Sequence, residues 1–177
     1  MDTATQANRS ILGRMVRAAR LEEAVYEEVE HDRDATRQAA LVVVGTSLAA
    51  GIGSGFAFGI AGLVFITLVS LIAWALYAYI TYLVGTRIFA GPETSADWGE
   101  LARTLGFASA PKALLIVGIV PVVGALVATI VSIWVLITTV VALRAALDFS
   151  TGRAIGTAIV GWIAQSTLFG LAFALLV

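Results

Sequence analysis

The sequence predicts an all-α polytopic membrane bundle: five transmembrane helices with amphipathic helices on the cytoplasmic side. Three observations lead there. The chain is 59% apolar and 13% charged, with a mean hydropathy of +0.94, whereas a soluble domain carries about a quarter charged residues. The stretch Ala113–Leu147 has no charged residue before Arg144, far longer than the roughly 20 residues one crossing needs. All 11 Lys and Arg fall into three segments, Arg9–Arg37, Arg87–Lys112 and Arg144–Arg153.

The third observation decides how the second is read. Basic residues flanking membrane spans stay cytoplasmic. A single crossing by Ala113–Leu147 would separate Lys112 from Arg144; two crossings keep them together. Pro121 and Gly124 sit where the hairpin must turn, since Pro removes a backbone donor and Gly accepts the angles of a tight reversal. Five spans at about 38–58, 60–84, 105–120, 123–147 and 153–177 place every cation inside, the N-terminus in and the C-terminus out. Residues 1–37 form a cytoplasmic helical region and 38–177 the membrane domain. No apolar signal-peptide core precedes the first span, so that span serves as the insertion signal.

From Arg9 a helical pattern begins. At about 100° per residue, Ile11, Leu12, Met15, Val16 and Ala19 share one arc and Arg9, Arg14, Arg17 and Arg20 the opposite one. Such a helix lies in the headgroup layer of anionic lipid, arginines on phosphates and apolar residues inserted; packing on another protein is the alternative. Leu21–Asp34 continues as helix with a narrow Leu21, Val25, Val29 stripe among carboxylates. Glu28-x-x-His31 has the spacing of a di-iron ligand pair, but His31 is the single histidine. An acidic solvated face is the stronger reading, and no metal or cofactor is expected.

The first span carries Ser47, Gly51, Gly55 and Gly59 at four-residue spacing, with Gly45, Ala49, Gly53 and Ala57 as a second ladder. Small residues so spaced let helices approach closely in lipid, within the bundle or in a homo-oligomer. The GIGSG run lacks the further glycine of a nucleotide loop, at Phe56, and of an intramembrane serine protease, at Ile52. The second span ends in Tyr77, Tyr79 and Tyr82, an interfacial belt. Thr94 and Asp97 then resemble a capping box opening a second amphipathic helix, lying flat with Trp98 as its anchor and Leu101, Ala102 and Leu105 opposite Asp97, Glu100 and Arg103. Pro111 bends the third span near its start, and Lys112 snorkels toward the cytoplasm. Arg144 and Asp148 form a pair closing the fourth span, and Gln165 is the most polar buried group of the fifth.

Apart from Lys112, Arg144 and Arg153, which reach toward the cytoplasmic side, no span contains an ionisable side chain other than Tyr, which argues against a proton pump or voltage sensor. Zero Cys excludes disulfides and thiolate chemistry. No catalytic triad or nucleotide motif is visible, so neither an enzyme nor a nucleic-acid binder is expected.

The stretch Val25-Tyr26-Glu27-Glu28-Val29-Glu30, then Asp32-x-x-Ala35-Thr36-x-Gln38-Ala39, resembles the segment before the first span in bacterial Yip1-family (YIP1 domain) integral membrane proteins. Leu105-Gly106-Phe107-Ala108-Ser109-Ala110-Pro111, Pro121, Trp134 and Leu143-Arg144-Ala145-Ala146-Leu147-Asp148 are similar to its later landmarks. The resemblance covers roughly Leu21 to Val177. It implies five spans with a cytoplasmic N-terminus. Eukaryotic members contact Rab-type GTPases and help shape membranes, but their Asp-Leu-Tyr-Gly-Pro motif is missing here. The expectation is a non-enzymatic protein of the cytoplasmic membrane that binds lipids and protein partners. The alternatives are a small transporter or channel for a neutral or lipidic solute, gated near Pro111 and Pro121, and an accessory subunit of a larger complex.

Overall fold

The computed structural model describes residues 10–54, 59–92, 94, 96–120 and 122–176. Arg9, Gly55, Phe56, Ala57, Pro121 and Val177 lie outside the described residues. The elements are α1 (Ile11–Ala19), α2 (Glu23–His31), α3 (Ala35–Gly53), α4 (Gly59–Arg87), α5 (Trp98–Ala108), a 3₁₀ helix (Ala110–Ile119), α6 (Val123–Leu147) and α7 (Thr151–Leu176). Among the described residues, four stretches are long and apolar enough to cross a membrane: α3, α4, the α5–3₁₀ pair Trp98–Ile119, and α6.

The N-terminal region is two helices where one continuous pattern was expected. Ser10 opens α1 by accepting from the Gly13 amide at 3.0 Å, which satisfies one orphan donor of the first turn. Leu21, at φ +64°, then breaks the chain before α2. The left-handed region is unfavourable for a side chain that makes no local hydrogen bond, so nothing in the composition announced the break.

The largest departure concerns Trp98–Ala108. The expected flat surface helix is instead among the most enclosed parts of the fold: every residue from Leu101 to Pro111 is buried. Its capping box is Asp97 with Glu100, three residues beyond the expected Thr94. Asp97 accepts from the Glu100 amide at 2.9 Å and the Asp97 amide donates to Glu100 at 2.7 Å. Thr94 accepts from the Gly91 amide instead. Beyond Ala108 the chain tightens into ten residues of 3₁₀ helix with Pro111 at its first turn, where the missing N–H leaves no bond unmade. Runs this long are uncommon. Eleven α residues reach about 16 Å and ten 3₁₀ residues about 20 Å, so the pair together, Trp98–Ile119, has the length a crossing needs.

Close approach is set by glycines. A Cβ at Gly53 would lie 1.9 Å from the Leu115 carbonyl oxygen, and one at Gly124 would lie 2.7 Å from that of Gly118. Gly124 therefore serves contact between the 3₁₀ helix and α6, and the positive φ of the reversal falls on Val122, at +69°. On α3, Gly51 faces Leu63 and the Ser47 hydroxyl donates to the Val43 carbonyl. Gly59 has nothing near its missing Cβ; its φ of +62° is what requires glycine.

α7 runs antiparallel to α4. The Tyr77 hydroxyl donates to the Ala158 carbonyl at 3.1 Å, and the Gln165 amide donates to that of Ala73. Nearer the helix ends, Gly156 packs on Phe89.

Candidate functional site

Two features stand out: a charged joint between the N-terminal helices and the bundle, and a cleft between the spans.

Arg14 lies at the joint. Only 3% exposed, it donates to Glu28 through Nε at 3.0 Å and Nη2 at 2.8 Å, to Asp32 at 2.7 Å and to Gln38 at 2.9 Å. Arg17 pairs with the other oxygen of Glu28 at 2.7 Å and with Glu22 at 3.1 Å. The Arg14 fork thus ties α1, α2 and α3 together, a role for which its planar, multi-donor geometry suits it. Burial alone would raise both carboxyls; hydrogen bonds from Arg17 and Arg14 hold Glu28 below its ordinary value, and one from Arg14 does the same for Asp32. Its bond to Glu28 raises Arg17.

The structure therefore divides the expected lipid-contact set. Arg14 and Arg17 face carboxylates, a correction to the arginine face read from the sequence. Ile11 and Met15 pack on the core. Leu12 and Val16 remain 73% and 49% exposed, and Arg20 is exposed. Trp98 is half-exposed, with its indole N–H donating to the Ala75 carbonyl at 3.1 Å.

Arg103, expected to face solvent, is 6% exposed. Its Nε donates to the Val29 carbonyl at 2.9 Å and its Nη2 to that of Glu30, so it caps the C-terminal end of α2, where helix carbonyls lack partners. No sequence signal marks this role, because the capped helix lies more than seventy residues away. Arg144 pairs with Glu23 at 2.9 Å and not with Asp148, which ends α6 in the left-handed conformation. The Tyr26 hydroxyl donates to the Ala18 carbonyl at 3.0 Å, and burial raises its pKa. Trp134 donates to the Ala19 carbonyl at 2.7 Å, docking the end of α1 against α6.

Glu30 is 8% exposed, and its Oε2 has no partner among the described residues. Burial, reinforced by Glu27, Glu100 and Asp148 and opposed by His31, pushes it up to about 7. The Glu28-x-x-His31 pairing does not form. Glu28 faces the arginines; the ligand atoms that converge, within 4.8 Å, belong to Glu27, Glu30 and His31.

The cleft, of about 880 Å³, is bounded by α3, α4, the α5–3₁₀ junction, α6 and α7. Ser132, Gln165 and Lys112 line it among mainly apolar residues.

A polytopic α-helical membrane protein is the class this architecture defines. The profile of the Yip1 domain family matches residues 24–174, and the chain belongs to that family. Neither a curated protein nor a solved structure matches it.

Proposed function

We propose that this chain is a non-enzymatic Yip1-type protein of the cytoplasmic membrane that binds lipid through α1 and a protein partner through α2, and so organises or curves the bilayer. The N-terminus is cytoplasmic, α7 is the fifth span, and the C-terminus emerges outside. In support, α7 is a 26-residue helix packed antiparallel on α4. That parity leaves the cations on one side.

One observation carries the lipid reading: α1 is docked beside the bundle with apolar residues facing outward. Trp134, which holds its end, sits thirteen residues before Leu147, about 20 Å along the helix axis. Leu12 and Val16, 73% and 49% exposed, then face the cytoplasmic leaflet. The partner reading rests on a depression of about 230 Å³ rimmed by Glu23, Glu27, Asp148 and Arg144; with Arg144 paired to Glu23, Glu27 and Asp148 are left to meet a basic segment.

The chain has no cysteine, so single cysteines at Leu12, Val16 and Glu27 can each carry a nitroxide in nanodisc-embedded protein. Positions 12 and 16 are expected to be relaxed by oxygen, position 27 by a water-soluble nickel chelate. Equal water access at all three would refute the lipid contact. The cleft favours a second reading, in which the bundle holds or passes a lipidic solute.

A further inference from the structure

We propose that the cleft seats an acyl chain of an anionic phospholipid whose phosphate meets Lys112. This names the ligand class for the second reading and rests on it only in requiring that lipid enter the cleft.

The lining argues for hydrocarbon. The hydroxyls of Thr46, Ser47, Ser109 and Ser132 donate to carbonyls of their own helix, and the Tyr77 hydroxyl and Gln165 amide donate across to backbone carbonyls. Polar residues bonded in this way present little to a polar solute. The volume, about 880 Å³, falls near the top of the roughly 300–1,000 Å³ typical of small-molecule sites.

Access is lateral. Leu136, Ile159 and Trp162 line the cleft and are also exposed, which puts its rim on the outer face between α6 and α7, where lipid stands. This favours a bilayer phospholipid over a free fatty acid arriving from water.

Charge selects the headgroup. Lys112 is the one charged residue among the described lining, no acidic residue accompanies it, and its ammonium, exposed at the protein surface among apolar neighbours, has no hydrogen bond or ion pair among the described residues. An ammonium beside apolar lining is costly without a counter-ion. A phosphate supplies it.

The test uses reconstituted full-length chain with Trp98, Trp134 and Trp162 replaced by Phe, leaving Trp74 in the cleft as reporter. Phosphatidylglycerol brominated on its acyl chain is expected to quench Trp74 roughly five-fold more effectively than brominated phosphatidylcholine. Lys112→Gln removes that preference and Lys112→Arg keeps it. Equal quenching by both lipids in the parent protein overturns the charge assignment while leaving a lipid-filled cleft; no quenching by either overturns the second reading as well. Stronger quenching by a brominated free fatty acid overturns the choice of phospholipid. Should the Phe background fail to fold, native mass spectrometry of the otherwise unaltered chain decides. Lys112→Gln is expected to retain one anionic phospholipid fewer, and an unchanged count overturns the proposal.

Discussion

Arg14→Met tests whether the N-terminal helices are held by the charged joint. The substitution keeps an apolar stem of similar length and removes four hydrogen bonds, two to Glu28 and one each to Asp32 and Gln38. Removing one member of a fully buried ion pair costs about 3–5 kcal/mol. Here Glu28 and Asp32 are 25% and 33% exposed, and Glu28 retains Arg17, so solvent and the second arginine reduce the loss to about 2–3 kcal/mol. Hydrogen exchange in nanodiscs reads this as a fall in protection of α1 and α2 amides by roughly 30- to 150-fold, with α6 and α7 unchanged. Arg14→Lys, which keeps the charge and loses the fork, falls between. The pH dependence carries a sign. Both carboxyls are lowered in the folded protein, so their stabilisation is present above their ordinary values of 4.5 and 3.8. It is lost as pH falls through the lowered ones. Protection in the parent protein, corrected for intrinsic rate, drops in that acid window; in Arg14→Met the drop is smaller. A loss under roughly three-fold, or one spread equally over the spans, would refute the reasoning.

Glu30→Gln and Gly53→Ala probe two further contacts. Glu30 is raised from 4.5 to about 7, so the stability of its neutral form is present below the ordinary value and lost as pH rises through about 7; Glu30→Gln is expected to protect α2 amides better than the parent at pH 8, the two converging near pH 4.5. Gly53→Ala forces a methyl into a carbonyl 1.9 Å away, and overpacking of this kind costs about 1–3 kcal/mol, read as a lower unfolding temperature in detergent. Gly45→Ala, with nothing within 4 Å, is the control and holds or raises that temperature.

Much of the fold was legible in local chemistry. The long apolar run predicts a fourth span at about 123–147, and a helix, α6, covers those residues. Pro111 marks the place where α-helix gives way to 3₁₀. What could not be read is which partner a polar face meets. Trp98, Leu101, Ala102 and Leu105 make a surface-helix stripe, and the opposite face holds Arg103. A sequence period reports two faces; it does not say that the polar one is filled by the carbonyls of Val29 and Glu30. Arg14 and Arg17 repeat the lesson. Their spacing reads as a phosphate-seeking face until α2 folds back at Leu21 and offers Glu28. Lys112 is legible in the sequence as a cation at the start of a span; that it lines a cleft between helices is not.

This rearrangement of charge changes what would hold α1 to lipid under the proposed reading. With Arg14 and Arg17 paired inside the protein, Arg20 is the exposed described cation of that helix, contributing about 1 kcal/mol at an anionic surface. Leu12 and Val16 each bring about 1.5–3 kcal/mol when fully buried, scaled down by their 73% and 49% exposure, and together they outweigh Arg20. Insertion of α1 is therefore expected to be apolar first and electrostatic second. Oxygen accessibility at position 12 should persist when salt is raised to 1 M, where the Debye length is about 3 Å. A Leu12 nitroxide released into water by salt alone would assign the dominant role to charge and contradict the burial of Arg14.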